Sequence, residues 1–343
     1  MNLQWRLAVV LVLVLCFALP VLAHVPVSAE ENYDLSTALP VENPTKSYVL
    51  YGHLHEAGDE AWYQLRMNPG DRLVLSLMTP GYNASVPDLI VMSPGTNPFS
   101  EGLRELPKTF SVPQGYEATI IRGITPRKAA YEPFSPSAVF EVASYTQEIT
   151  IPGIYYVAVV SPADETRYSL GVGYVEEFTL LEWILVPSGV ISTHLWEGQS
   201  ILAVLTPFLA VVVLGIIVIA RRGKRKELHI THSSWLVTIA GLCYLGGAAI
   251  TLVQMVRALA VTGLSSSVAL TLVFAIIPVV LGIWALRVGR SSSMRTIQER
   301  GVILLIGILG LVFWAGLILG PVLAIGAALL PEKRERGDNR NYA

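Results

Sequence analysis

GDEAWYQLRMNPGDRLVLSL, residues 58–77, decides how the first half of the chain is read. Tyr63, Leu65 and Met67 alternate with Trp62, Gln64 and Arg66, and Leu73, Leu75 and Leu77 resume the same period after a break. Successive side chains on a strand point to opposite faces, so this spacing predicts two strands, each with one apolar face. Asn68-Pro69-Gly70-Asp71 between them has the chemistry of a tight turn, and the pair is read as a hairpin. Further short apolar runs at 47–56, 88–93, 118–123, 138–144, 148–151, 153–161 and 168–175 are separated by Gly- and Pro-rich turns, with no helical period between 47 and 176. Many short strands with regular turn chemistry predict an all-β antiparallel sandwich, jelly-roll-like, over residues 30–176.

The rest of the chain has a different character. Overall it is 52% hydrophobic and 15% charged, too apolar for an ordinary soluble protein. Residues 30–200 nevertheless hold 21 Asp and Glu against 9 Lys and Arg, a net charge of −12, which disfavours nucleic acid as a partner. The apolar surplus lies at the two ends. At the N-terminus, Arg6, the run from Leu7 to Leu19, the helix-ending Pro20 and the small Ala23 read as a secretory signal over residues 1–23. An uncleaved anchor is the alternative, and the run is short for it, since a span needs about 20 residues. Cleavage fits after Ala23 or Ala29. The two cysteines are Cys16, in that signal, and Cys243, in a later apolar run. The exported segment therefore has no disulfide and relies on its core. Asn83-Ala84-Ser85 is an N-glycosylation sequon in a turn.

Four uncharged apolar stretches follow, at 201–220, 235–256, 268–286 and 302–330, and predict a bundle of about four transmembrane helices. RRGKRK (221–226) follows the first, and Arg287, Arg290, Arg295 and Arg300 follow the third, whereas the second connection carries only Arg257. Basic loops stay in the cytoplasm, which puts loops 221–234 and 287–301 inside and residues 30–200 outside a cell membrane. The fourth stretch either crosses once or turns back at Gly320-Pro321; one crossing is favoured, leaving the polar tail 331–343 outside. Gly316, Gly320 and Ala324 form a small-residue strip for close helix packing. No ionisable side chain lies inside any stretch, so the bundle reads as an anchor or assembly element rather than an ion pathway. Residues 177–200, with Trp183 and Trp196, read as a collar at the membrane surface.

The order Gly58-Asp59-Glu60-Ala61-Trp62-Tyr63, Pro69-Gly70-Asp71-Arg72-Leu73, Asp88-Leu89-Ile90-Val91, Gly153-Ile154-Tyr155-Tyr156-Val157 and Tyr168-Ser169-Leu170 resembles the bacterial pre-peptidase C-terminal (PPC) domain. Ala61 departs from that pattern where an acidic residue is common, and residues 95–137 form a Pro-rich insertion. The resemblance implies a β-sandwich and a binding or accessory role without catalysis.

Candidate chemistry is sparse. His53 and His55 share a strand face, and a cut after Ala23 makes His24 the mature N-terminus; together these three can bind copper or zinc. Asp59, Glu60 and Asp88 are acidic turn residues of the kind that hold calcium. No metallohydrolase, serine-hydrolase or nucleotide-binding motif occurs. The expected role is a non-enzymatic surface binding or assembly module contacting membrane lipid and a protein partner or surface glycan. The alternatives are a metal-binding redox or accessory protein, and an accessory subunit of a transport or signalling complex.

Overall fold

The computed structural model describes residues 25–28, 32–81, 86–95, 110–161, 165–226, 232–290 and 296–330. The strands are β1 (Val25–Ser28), β2 (Leu39–Val41), β3 (Tyr48–Leu54), β4 (Glu60–Met67), β5 (Arg72–Thr79), β6 (Asp88–Pro94), β7 (Tyr116–Ile121), β8 (Ala130–Glu132), β9 (Ser137–Glu148), β10 (Gly153–Val160) and β11 (Thr166–Val172). They form two sheets, β1-β3-β11-β5-β9-β8 and β2-β4-β10-β6-β7. All pairs are antiparallel except β1 with β3 and β2 with β4. The two sheets make a mostly antiparallel sandwich.

The opening stretch is not a hairpin. β4 pairs with β10 and β2 in one sheet, and β5 with β11 and β9 in the other. Asn68–Asp71 is therefore an arch between sheets. Its Asp71 N–H donates to the Asn68 carbonyl at 3.1 Å, with Pro69 next and Gly70 at φ +89°, the requirements of a type II turn. Alternation specifies which side chains face inward, not which strand lies alongside, and both arrangements bury the same residues. Tyr63, Leu65, Met67, Leu73, Leu75 and Leu77 all meet in the inter-sheet core. Trp62, on the opposite face of β4, heads a second apolar cluster with Ile90, Met92 and Ala158, covered by Leu35 and Phe110. Inside the main core Tyr63 and Tyr168 share a 2.6 Å hydrogen bond between hydroxyls. Gly52 makes room for it, since a Cβ there would lie 2.2 Å from the Tyr168 hydroxyl.

Residues 180–196 are a helix, α1 (Leu180–Trp196). Thr179 and Glu182 cap it reciprocally, the pattern that satisfies two orphan N–H groups at a helix start. Glu182 also takes Lys46 of the sandwich at 2.7 and 2.8 Å. At the other end the Arg167 guanidinium donates to the Trp196 carbonyl, and Trp196 packs edge-on against Tyr51. The collar is thus bolted along the sandwich at both ends.

Three helices are long and apolar enough to cross a membrane: α2 (Ile201–Lys226), α3 (His232–Thr262) and α4 (Val268–Gly289). Each runs antiparallel to its predecessor: Gly246 of α3 faces Phe208, and Gly289 of α4 meets Thr238. The expected fourth span is a correction. Residues 302–330 are two shorter helices, α5 (Ile297–Val312) and α6 (Leu319–Leu329), folded against each other. Trp314, Gly316, Leu317 and Ile318 all have φ between +52° and +69°, a backbone no helix propagates through. Gly307 lies against Ile325 and Gly310 against Pro321, so small residues let the arms touch. Arg300 donates to the Ala328 and Leu330 carbonyls, closing the open end. Pro321 sits in the first turn of α6, where its missing N–H costs nothing. The chain therefore folds back at 313–318, not at Gly320-Pro321.

Candidate functional site

β8 and β9 form a short hairpin whose tip, Pro133-Phe134-Ser135-Pro136, reaches the junction of sandwich, collar and bundle. The register pairs Glu132 with Ser137 and Tyr131 with Ala138. Paired residues share a face, so Glu132 and Ser137 lie side by side and Tyr131 points the other way. Tyr131 engages the bundle. The Thr271 hydroxyl donates to the Pro133 carbonyl at 2.7 Å, which makes the Tyr131 hydroxyl the donor to Thr271 at 2.8 Å. Phe134 meets Phe274 edge-on, and Phe274 stacks on Trp314 at 5.1 Å.

Trp314 reaches the collar for a reason written into α1. Pro187 has no N–H, so the carbonyl four residues earlier, Trp183, lacks its intrahelical donor. The Trp314 indole N–H donates to that carbonyl at 2.9 Å, with the two rings 4.6 Å apart.

The collar separates two chambers. The upper one, about 110 Å³, lies against the outer face of the sandwich and is lined by Glu132, Ser137, Tyr51, Ser169, Gly189, Thr193 and Trp196. The lower one, about 70 Å³, lies against the bundle and is lined by Pro187, Ile191, His194, Ile250, Phe274, Pro278 and Phe313. Gly189, Thr193 and Trp196 fall on one side of α1 and Pro187, Ile191 and His194 on another, as helical periodicity requires. Phe134, Val186, Val190 and Trp314 line both chambers.

Polar groups concentrate at these walls. Glu132 is half-buried, its carboxylate accepts one bond from the Phe134 N–H at 3.1 Å, and desolvation pushes it up to about 7. Beside it the buried Ser137 hydroxyl has no hydrogen-bond partner among the described residues. The Thr193 hydroxyl spans Tyr51 Oη at 3.0 Å and the Gly189 carbonyl at 3.1 Å. Burial pushes Tyr51 up to about 12. In the lower chamber His194 is fully buried, with Nδ1 3.0 Å from Glu197 Oε2 and Nε2 without a partner among the described residues. Gln199 donates to the same carboxylate oxygen and pairs reciprocally with Gln254 of α3 at 3.0 and 2.9 Å. The polar atom of Gln254 inside an apolar helix is thereby satisfied.

The residues singled out from sequence lie elsewhere. His53 and His55 are neighbours, ring centroids 4.2 Å apart, with His53 Nε2 2.8 Å from Glu165. His24 and Asn83 lie outside the described residues. Among the described residues no group of three or more His, Cys, Asp or Glu is placed to hold a metal ion. Asp59 accepts from the His55 and Glu56 N–H groups, Glu60 from the Trp62 indole, and Asp88 binds Arg122 and the Gly123 N–H, so each carboxylate has local work. Gly316 lies in the break beside Tyr244. Gly320 also faces Tyr244, and Ala324 is buried in the bundle core. Glu132, Ser137 and His194 were not singled out, because their burial depends on segments far apart in the chain. A visible signal was Thr179-x-x-Glu182, a capping box announcing the helix that encloses them. Comparison with known proteins finds no matching family model and no matching curated protein.

Proposed function

We propose that this chain is a membrane-anchored binding module, with its sandwich on the exterior face and its ligand held in the cleft around the collar helix. The observation that carries this is Ser137: a buried hydroxyl with no partner among the described residues, set beside a desolvated carboxyl. Leaving such a group unsatisfied costs about 1–3 kcal/mol, and a bound polar group removes the cost. A binding role needs only this unsatisfied hydroxyl and the carboxyl beside it. The resemblance to PPC sandwiches, as accessory modules, agrees with that.

The exterior placement is supported by the bundle. α2 runs away from the sandwich, α3 returns to it and α4 leaves again, so Arg221, Arg287, Arg290 and Arg300 gather at the end remote from the sandwich. A basic end is the cytoplasmic end. The test is mass spectrometry of the full-length protein purified in mild detergent, beside Val190→Trp, which adds bulk at a wall common to both chambers. A stoichiometric molecule carried by the native protein and missing from the variant is expected. A native protein that carries nothing the variant lacks refutes the binding role.

A further inference from the structure

We infer that the collar helix α1 is immersed in the leaflet on the sandwich's side of the membrane, with Leu181, Leu185 and Leu195 against lipid acyl chains. Immersion of α1 needs only the geometry of the bundle and stands whether or not the cleft holds a ligand.

The spans fix the level of the hydrocarbon. The apolar part of α2, Ile201–Arg221, has 21 residues and α4 has 22, roughly 31–33 Å at 1.5 Å per residue and close to the thickness of a bilayer core. Their ends nearest the sandwich, Ile201 and Val268, therefore mark its boundary. α3 has 31 residues and overshoots it. Gly246 of α3 faces Phe208 of α2, so following the two antiparallel helices from there toward the sandwich brings Val253 level with Ile201. The paired Gln199 and Gln254 amides sit just beyond, where polar groups belong.

α1 reaches below that boundary in both of its halves. Ile191 packs into the cluster of Val204, Phe208, Cys243 and Ile250, and Val204 and Phe208 lie roughly 5 and 10 Å inside Ile201 along α2. The Trp183 carbonyl accepts the indole N–H of Trp314, in the fold-back whose Gly316 lies against Gly247, roughly 10 Å below the level of Gln254. The α5–α6 pair thus fills only the far part of the membrane's thickness. α1 lies over it, where a fourth span would have continued.

The side chains suit that depth. Leu181, Leu185, Ser188, Ser192 and Leu195 recur at steps of four and three, so they form one row along the helix; all are exposed and none is charged. Leu181 and Leu185 are 66% and 48% exposed, and Leu180 beside them 78%. Within 17 residues α1 carries four exposed large apolar side chains. The described part of the sandwich, residues 32–175, also carries four, Tyr33, Ile124, Ile151 and Tyr174, over many times the length, so the row is a concentrated patch rather than ordinary surface. Leu202, Leu209 and Val213 of α2 are exposed in the same way, on a helix that lipid must surround. Hydroxyls on these faces turn back to their own backbone: Ser188 donates to the Leu185 carbonyl and Thr206 to that of Leu202, each at 2.6 Å, the arrangement that hydrocarbon demands. Glu182, the one carboxylate within α1, is taken up by Lys46 of the sandwich.

The full-length protein lacking Cys16 and Cys243 is spin-labelled at Leu181→Cys or Leu185→Cys and reconstituted in phosphatidylcholine vesicles. Power saturation then compares access of molecular oxygen, which concentrates in hydrocarbon, with access of a water-soluble nickel complex. Labels at Leu214 of α2 and Ile124 of the sandwich, both exposed, supply the lipid and water limits. The oxygen-to-nickel ratio at the two collar sites should match that at Leu214 and exceed that at Ile124 by at least about tenfold, because a polar complex is strongly excluded from hydrocarbon. A ratio like that at Ile124 means that α1 faces water, and overturns the inference. Poor access of both reagents means that a second copy of the chain covers the row, and overturns it equally. If one labelled protein fails to assemble, the other decides. If neither assembles, the unsubstituted protein is irradiated with a phosphatidylcholine carrying a carbene precursor in its acyl chain: modification of 180–185 beside that of α2 is expected, and modification of α2 alone sinks the immersion.

Discussion

Replacing Glu132 by Gln isolates the cost of holding a carboxyl at the cleft wall. Gln keeps the size of the side chain and an oxygen for the Phe134 N–H, and removes only the ionisation. In the folded protein desolvation raises this group from 4.5 to about 7. Below about pH 4.5 it is protonated whether the chain is folded or not, and the substitution gains nothing. Between 4.5 and 7 the unfolded chain releases the proton while the folded one keeps it, so native stability falls as pH rises; above 7 the loss is complete. A shift of this size corresponds to at most about 3.4 kcal/mol at ~1.36 per unit. Water reaching the half-buried side chain reduces that to about 1–3 kcal/mol. Thermal unfolding of the full-length protein in mild detergent at pH 5 and pH 8 reads the difference, all other groups being common to both proteins. Glu132→Gln should be the more stable at pH 8 by several degrees and at pH 5 by well under half of that. An equal gain at both pH values, or none at pH 8, refutes the assignment of a desolvated carboxyl to this wall.

Lys46→Met removes the cation from Glu182 and leaves that carboxylate with only its cap; hydrogen exchange across 180–196 should rise, for a local loss of about 1–2 kcal/mol, while strands β4 and β10 keep their protection. Gly52→Ala drives a methyl into the Tyr168 hydroxyl and should lower stability by about 1–3 kcal/mol in denaturant titration; no loss would mean the tyrosine pair yields freely. In a variant lacking Cys16 and Cys243, single cysteines at Arg290 and Leu330 should both resist a membrane-impermeant maleimide until the cell is opened. Reaction of the Leu330 site in intact cells would restore a single crossing by residues 302–330.

Inward-facing strand residues were readable from a period of two, as Leu73, Leu75 and Leu77 illustrate, because that period is a local property of the backbone. Partnership between strands was not. The Asn68–Asp71 turn has hairpin chemistry, yet it joins two sheets, and what decides between them is the match of β4 to β10, some ninety residues away. The fold-back in the last apolar stretch escaped hydropathy for a similar reason. Trp314, Leu317 and Ile318 are all apolar, and hydropathy carries no information on φ. Pro187 concealed α1, although the capping residues on either side of Leu180 were in plain view. The cleft was the least accessible: Glu132 and Ser137 are ordinary polar residues of a short hairpin, and only the distant collar turns them into buried ones.

The fold-back has a consequence for how the molecule is assembled. Its two arms stop short, and the space beyond their tip is taken by the collar, with Trp183 seated on Trp314. The membrane part is therefore not a self-sufficient pedestal. The hairpin of α5 and α6 finds its ceiling only once the sandwich and collar are in position, so removing the sandwich and collar should leave this hairpin without a seat, whereas removing the hairpin should leave the collar without a floor.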